Sequence, residues 1–198
     1  MVATRNRGKL VEFRRLLRDH PWTLLSLDDA GFPGDVDEPG PGYEENARAK
    51  AVEVCRATGL AALGDDSGIE VDALRGWPGP RSSRWLGEGA SDADRLQGLL
   101  DEVARRSPED RRVHYVAVLA LARPGAEPVV ARGVCEGVLV EPRGEGGFGY
   151  DPAFLSTDLG RTFGEVAAEE KDTVSHRARA VARLVEAGVL ALTPGWGA

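Results

Sequence analysis

Two adjacent aspartates inside an apolar stretch constrain this chain more than any other feature. Residues 63–71 read Leu-Gly-Asp-Asp-Ser-Gly-Ile-Glu-Val, so Asp65 and Asp66 follow one short apolar run and precede another. Because Asp, Ser and Gly are common turn formers, the pattern predicts a strand, a tight turn that carries the acids, and a second strand. Adjacent residues of an extended chain point to opposite faces, so we expect the two carboxylates to do different jobs.

The chemistry of this acidic segment has two interpretations. Carboxylate oxygens beside a glycine suit Mg²⁺, which keeps several waters and takes only one or two protein carboxylates. The alternative is a solvated turn without a chemical role. Further acids lie in the loop at 28–42, at Asp35, Asp37 and Glu38, and at the start of the next helix. Spacing alone does not choose among them.

Composition is ordinary for a soluble globular protein, with 42% hydrophobic and 29% charged residues. The 198 residues suit a single domain (residues 1–198), and the net charge of −7 argues against nonspecific binding to nucleic acid or to an anionic membrane. No run approaches the roughly 20 apolar residues of a membrane span. Cys55 and Cys135 lie in apolar segments without metal-ligand spacing, so we expect reduced core cysteines and a cytoplasmic protein.

Hydrophobic periodicity predicts a mixed α/β (α+β) fold with a twisted, mixed sheet and flanking helices. Helical spacing is found after Gly8, at 43–58, from Ser91 to about Arg105, and at about 175–187. Strand-like runs are found at 1–4, 22–27, 112–122, 129–140 and up to Leu155. In the first helix, Phe13 and Leu17 are expected to face the core and Glu12 the solvent. Gly125 is expected in the turn of a hairpin.

The N-terminal segment from Thr4 to Lys9 lies where a strand passes into a helix. Free N–H groups and the positive end of the helix dipole make that junction a ready anion site. Thr4 and Asn6 add neutral donors, and Lys9 adds a charge that can reach a phosphate. The spacing is not that of a P-loop. An ordinary helix start with a solvated lysine is the alternative.

Two later segments carry candidate ligand-binding groups. Glycines surround Phe148 and Tyr150, so the backbone can approach a flat ligand while a ring stacks on it, and Asp151 can accept from a ring N–H. A glycine-rich hairpin with packing aromatics is the alternative. At the start of the last helix, His176 and Arg177 offer an imidazole and a cation, although a lone histidine at a helix start is more often structural.

Six motifs in this order resemble the inosine/xanthosine triphosphate pyrophosphatase family, over Thr4 to about Leu184. They are Thr-x-Asn-x-x-Lys (4–9), Glu-Asn-Ala-x-x-Lys-Ala (45–51), Asp-Asp-Ser-Gly-Ile-x-Val-Asp (65–72), Pro-Gly-Pro-Arg-Ser-Ser-Arg-Trp (78–85), Gly-Gly-Phe-Gly-Tyr-Asp-Pro-x-Phe (146–154) and Glu-Glu-Lys-x-x-x-Ser-His-Arg (169–177). The resemblance implies an elongated, two-lobed homodimer with a central cleft. It also implies hydrolysis of ITP, dITP and XTP to the monophosphate and pyrophosphate with Mg²⁺.

The resemblance also assigns roles to residues. It implies that Asp66 is the metal-linked general base, with Asp65 beside it and Lys50 near the carboxylates. Glu38 is implied as a metal ligand, with Asp37 as its alternative. The implied substrate contacts are Thr4, Asn6 and Lys9 for the triphosphate, Ser67, Phe148 stacked on the base, and Tyr150, Asp151, Lys171, His176 and Arg177 around the edge of the base.

Two other functions remain open from the sequence. One is a pyrophosphatase that prefers another modified nucleotide. The other is a nucleotide-binding module that has lost turnover, which the presence of all the expected acids disfavours.

Overall fold

A computed structural model describes residues 1–34, 36, 38, 40–87 and 89–190. The described part contains five α-helices, Arg7–Leu16 (α1), Tyr43–Thr58 (α2), Asp92–Arg106 (α3), Ala168–Lys171 (α4) and His176–Glu186 (α5). It contains five strands, Ala62–Val71 (β1), Trp77–Pro78 (β2), Arg112–Ala122 (β3), Val129–Leu139 (β4) and Phe154–Ser156 (β5). The predicted mixed α/β class is confirmed. None of the helices in these ranges has the length and apolar character needed to cross a bilayer.

The strands form one sheet in the order β2-β1-β3-β4-β5, with every neighbouring pair antiparallel. The one parallel pairing in the described ranges is an isolated bridge between Val2 and Leu63. The sheet is therefore less mixed than the sequence predicts. A short turn at Gly125, with φ of 73°, joins β3 to β4 as predicted.

The predicted turn at the two aspartates is wrong, because β1 runs without a break through both of them. Asp65 lies opposite Leu119 and Asp66 opposite Val118 in the register with β3. Pairing with a long neighbouring strand outweighs the local turn preference of Asp, Ser and Gly. The strand predicted at 22–27 is also wrong. That segment is irregular, although the Leu25 carbonyl accepts a hydrogen bond from the Val2 N–H at 2.9 Å.

Helices cover both faces of the sheet. On one face, α2 packs its small residues against alternate residues of β3, including Val116 and Val118. On the other face, α1 and α5 pack against the intervening residues, including Leu119. A third apolar cluster joins α3 to the aromatic residues around β5. The two aspartates of β1 lie between these clusters.

Glycines allow the helices to lie directly on the strands. A Cβ on Gly64 of β1 would overlap the carbonyl oxygen of Ala47 in α2. A Cβ on Gly133 of β4 would likewise overlap the carbonyl oxygen of His176 in α5. Side chains on these helices therefore reach the polar groups of the sheet from a short distance.

Candidate active site

The start of α1 forms one end of the site. Asn6 caps the helix, its Oδ1 accepting a hydrogen bond from the Lys9 N–H at 3.0 Å. Thr4 Oγ1 accepts from the Asn6 N–H at 3.2 Å. The Lys9 side chain reaches β1, where its Nζ lies 2.6 Å from Asp65 Oδ2. A capped helix start with a cation beside it suits a phosphate group.

Asp65 is a buried counter-ion for two cations. It lies on the face of β1 that meets α1 and α5, and it is 1% exposed. Besides Lys9, its carboxylate faces Nε of Arg177 at 3.5 Å. Burial alone would raise the pKa of Asp65, but the charges of Lys9 and Arg177 lower it to about 2. A carboxylate that holds its charge so firmly is a poor proton acceptor near neutral pH.

Asp66 points to the opposite face of β1, toward α2, as the alternation of an extended chain predicts. Asn46 Nδ2 donates to Asp66 Oδ2 at 2.9 Å, and Lys50 Nζ lies 3.7 Å from Oδ1. Burial raises the pKa of Asp66, and the Lys50 charge and the Asn46 hydrogen bond offset only part of that effect. Of the two aspartates, Asp66 is therefore the better proton acceptor.

Lys50 links Asp66 to Glu38. Its ammonium group contacts the Glu38 carboxylate and donates to the backbone oxygen of Asp65 at 3.2 Å. The Glu38 carboxylate also contacts the guanidinium of Arg84, from the segment before α3. Asp37, the alternative to Glu38, lies outside the described residues, as does Asp35.

Glu38 and Asp66 fit a hard divalent cation. Both carboxylates approach the same ammonium group, so they face a common space. Across the described ranges, no three His, Cys, Asp or Glu side chains cluster closely enough to hold an ion by themselves. Two carboxylates nevertheless suffice for an ion that completes its shell with water and with phosphate oxygens of a substrate.

Glu12 organises the far end of the site. The prediction that Glu12 faces the solvent is wrong, because the residue is only 3% exposed. Its Oε1 accepts from Lys171 Nζ at 2.6 Å, and its Oε2 accepts from Arg177 Nη1 at 2.7 Å. Lys171 Nζ also donates to Asp151 Oδ2 at 2.6 Å. Burial would lower the pKa of Lys171, but Asp151 and Glu12 together raise it. Both cations of this cluster are therefore charged.

The Phe148 ring lies against these cations. Its centroid is 5.1 Å from Lys171 Nζ and 5.5 Å from the central carbon of the Arg177 guanidinium. The ring also covers Gly8 of α1, where a Cβ would lie 2.7 Å from a ring carbon. Arg177 Nη2 donates to Ser67 Oγ at 2.6 Å, which connects this end of the site to β1.

His176 is buried and stacks on Tyr115, with ring centroids 4.6 Å apart. Burial, and then the nearby Arg177 charge, lower the pKa of His176 well below its usual value, so the imidazole is neutral. Its Nδ1 has no hydrogen-bond partner within the described ranges. Tyr150, by contrast, donates its hydroxyl to the Ser82 carbonyl at 2.7 Å and accepts from Trp85 Nε1 at 2.9 Å. It contributes its ring and backbone to the site rather than its hydroxyl.

These groups surround one cleft of about 640 Å³, part of it open to solvent. The predicted site residues that line it are Asn6, Lys9, Glu38, Asp66, Ser67, Phe148, Tyr150, Asp151, His176 and Arg177. Thr4 and Lys50 line an adjoining pocket that shares Asn6 and Glu38. Asp65 and Lys171 are buried next to the cleft. They form ion pairs with Lys9 and Asp151, respectively, and these two residues line it.

Sequence reasoning assigned no role to several contributors to this site, and Glu12, Asn46 and Asp92 are three of them. Glu12 follows Lys9 by three residues, so the two share a helix face, and that spacing was an available signal. Asn46 lies inside the Glu-Asn-Ala motif, but nothing in its spacing shows that it bonds Asp66. Asp92, which lines the cleft from α3, resembles an ordinary acid in a first helical turn.

The comparison with protein families agrees with this geometry. The model described as the Ham1 family matches residues 1–187. The chain belongs to the Ham1 family. The dITP/XTP pyrophosphatase of Symbiobacterium thermophilum is 48% identical over 94% of this chain and 92% of its own length. The dITP/XTP pyrophosphatase of Geobacter sulfurreducens is 47% identical over 93% of each chain.

Solved structures of the Ham1 family share the fold. A HAM1 protein from Coxiella burnetii is 38% identical, with a TM-score of 0.85 over 96% of this chain and 98% of that one. The Ham1 protein of Staphylococcus aureus is 34% identical, with a TM-score of 0.82. The resemblance inferred from six ordered motifs is confirmed.

Proposed function

We propose that this chain hydrolyses the non-standard purine nucleoside triphosphates ITP, dITP and XTP to the monophosphate and pyrophosphate, with Mg²⁺ as its metal. One observation carries the proposal: Asp66, with a raised pKa, lies beside Glu38 and Lys50 in the cleft that also holds the start of α1. The name shared by the curated relatives, dITP/XTP pyrophosphatase, supports the same reaction.

The triphosphate binds at the start of α1 in this proposal. Thr4 and Asn6 offer neutral polar groups there, and Lys9 offers a charge. Lys9 is held by Asp65, which keeps the ammonium group at the edge of the cleft. Transfer of phosphorus to water depends mostly on positioning and on neutralising charge, and these residues supply both.

Asp66 accepts a proton from the attacking water, and Lys50 and Asn46 hold its carboxylate in one orientation. Glu38 and Asp66 would hold Mg²⁺, which supplies charge neutralisation to the phosphate oxygens when it is bound. The water oxygen bonds to one phosphorus of the bridge between the α- and β-phosphates, the bond from that phosphorus to the bridging oxygen breaks, and the monophosphate and pyrophosphate separate. The two carboxylates therefore serve binding and proton transfer from one side of the sheet.

The far end of the cleft selects the base. Phe148 stacks on the purine, while the backbone of Tyr150 and the side chains of Asp151, His176 and Arg177 surround its edge. Lys171 pairs with Asp151 and so acts on this end of the cleft indirectly. Hypoxanthine and xanthine carry a 6-oxo group, which accepts a hydrogen bond from a donor such as Arg177. Adenine presents a 6-amino group to the same donor, and a buried unpaired donor costs about 1–3 kcal/mol. Discrimination against ATP follows from that loss.

Product analysis tests the proposal. The protein is incubated with ITP, XTP, ATP and GTP, each with Mg²⁺ and with EDTA, and the products are separated by ion-exchange chromatography. We expect monophosphate and pyrophosphate from ITP and XTP, little product from ATP, and no turnover with EDTA. A diphosphate with orthophosphate would indicate a γ-phosphatase, and binding of ITP without turnover would indicate a nucleotide-binding module.

The homodimer implied by the family resemblance stays a prediction. Multi-angle light scattering checks it directly, because a dimer elutes with twice the mass of one chain. A mass equal to one chain at micromolar concentration would contradict it.

A further inference from the structure

Asp92 lies outside the six recognised motifs, and it makes a contact across the cleft. It is the first residue of α3, and its Oδ2 accepts a hydrogen bond from the Gly149 N–H at 3.0 Å. Gly149 lies 57 residues further along the chain, between the two aromatic residues of the glycine-rich loop. The bond therefore joins α3 to the segment that carries Phe148.

Two carboxylates from different elements hold consecutive N–H groups of this loop. The Phe148 N–H donates to Asp151 Oδ2 at 2.8 Å, and the Gly149 N–H donates to Asp92. Gly149 has φ of 64°, in the left-handed region, so the chain turns sharply directly after the second of these bonds. The conformation that presents the Phe148 ring thus depends on both acceptors.

The helix itself does not need Asp92 for its start. Ser91 and Asp94 form a complete capping box, in which each side chain accepts from the N–H of the other residue. Asp92 also pairs with Arg95 at 2.8 Å, one turn further along α3. That ion pair is local, whereas the bond to Gly149 fixes the position of a distant segment.

We propose that Asp92 is a positioning residue that fixes the Phe148–Gly149 backbone and thereby sets the affinity for the purine base. The inference deepens the proposed function and rests on its assignment of Phe148 to the base. Asp92 touches no phosphate group in this assignment, so its removal weakens recognition of the base and leaves recognition of phosphate intact.

The test compares two ligands that divide the substrate. IMP carries the base, whereas pyrophosphate does not. Isothermal titration calorimetry in the presence of Mg²⁺ measures the dissociation constant of each ligand. In Asp92→Ala we expect the dissociation constant of IMP to rise about fivefold to tenfold, as for the loss of one hydrogen bond to a charged acceptor, with pyrophosphate unchanged. Asp92→Asn retains an acceptor oxygen and is expected to restore most of the IMP affinity.

A control variant separates the bond to Gly149 from a general loss of charge on α3. Asp101→Ala removes an exposed carboxylate from the same helix, where its Oδ1 accepts a hydrogen bond from Gln97 at 2.9 Å rather than from the loop. It is not expected to change the ratio of IMP to pyrophosphate affinity. An equal loss of both ligands in Asp92→Ala, or the same IMP loss in Asp101→Ala, would overturn the inference.

Amide hydrogen exchange tests the position of the loop without any ligand. We expect exchange at Gly149 to accelerate in Asp92→Ala and to stay unchanged in Asp101→Ala, because only the first variant frees that N–H. Unchanged exchange would overturn the inference even if ITP is hydrolysed. If exchange is faster in Asp92→Ala but the protein binds no IMP, Asp92 still fixes the loop, and the assignment of Phe148 to the base is rejected. Failure of the inference and failure of the proposed function therefore give different results.

Discussion

Asp65 and Asp66 are consecutive residues of β1, yet their carboxylates meet different layers of the protein. Asp65 pairs with Lys9 of α1, and Asp66 accepts a hydrogen bond from Asn46 of α2. The pKa of the first is lowered to about 2 by its cations, and the pKa of the second is raised by burial. The strand thus places a fixed counter-ion beside a proton acceptor.

Replacing Asp66 tests the proton acceptor. Asp66→Asn keeps the size of the side chain and its bond to Asn46 but cannot take a proton from water. We expect kcat for ITP to fall about 10²- to 10⁴-fold, with a melting temperature close to that of the original protein. Steady-state kinetics and calorimetry measure the two quantities. Near-normal turnover would remove Asp66 from the mechanism.

Asp65→Asn is the matched variant, in which the expected effect is a loss of stability. It leaves Lys9 and Arg177 buried beside a neutral group, so we expect the free energy of unfolding to fall by about 3 kcal/mol. Urea denaturation measures that loss. If Asp66→Asn lost as much stability as Asp65→Asn, the division of roles between the two residues would be wrong.

Removing Lys50 should move the pH dependence in a defined direction. The Lys50 charge lowers the pKa of Asp66 against the larger effect of burial, so Lys50→Met raises that pKa further. Because the base must be ionised, activity is lost as the pH falls through its pKa. The acidic limb of kcat/KM therefore shifts to higher pH. Arg48→Met, on the exposed side of α2, is the control, and an equal shift there would contradict the assignment.

Glu12 holds two cations of the base-binding end, so its charge should matter for both stability and selectivity. Glu12→Gln removes the countercharge of Lys171 and Arg177, and we expect a loss of about 2–3 kcal/mol in unfolding free energy and a lower ratio of ITP to ATP hydrolysis. Glu102→Gln breaks exposed ion pairs on α3 and should change neither by a measurable amount. An unchanged ITP/ATP ratio in Glu12→Gln would reject the role in selectivity.

Gly8→Ala changes both the stability of helix α1 and the position of the Phe148 ring, and the two effects can be measured separately. Alanine favours a helix by up to about 1 kcal/mol over glycine, but the new Cβ would lie 2.7 Å from the Phe148 ring. We expect KM for ITP to rise because the ring is displaced, while binding of pyrophosphate stays the same. Enzyme kinetics and calorimetry measure these two quantities, and a lower KM would show that the ring tolerates the methyl group.

Long periodic segments were predictable from the sequence. The predicted bounds of α2 at 43–58 and of β3 at 112–122 match the structure, because their apolar spacing is uninterrupted. The course of β1 was not predictable, since its residues favour a turn and only pairing with β3 makes the strand continuous. Local preference and the tertiary partner conflict there, and the partner prevails.

The sequence named many of the residues that lie at the site, but it did not show the contacts between them. Motif resemblance identified Asp65 and Asp66, whereas their different pKa shifts depend on cations brought from α1, α2 and α5. Glu12 looked like a surface residue because helical spacing assigns polar residues outward. Its partners, Lys171 and Arg177, lie 159 and 165 residues away, so no local pattern contains the reason for its burial.

The missing side chain at Gly64 has a consequence for how this reaction could be altered. Any larger residue there would push α2 away from the sheet, because its Cβ would overlap the backbone of Ala47. Lifting α2 would carry Asn46 and Lys50 away from Asp66 and change the basicity of that carboxylate without touching a polar group. The reactivity of the site is thus set partly by the thickness of a packed layer, and a search confined to polar residues would overlook it.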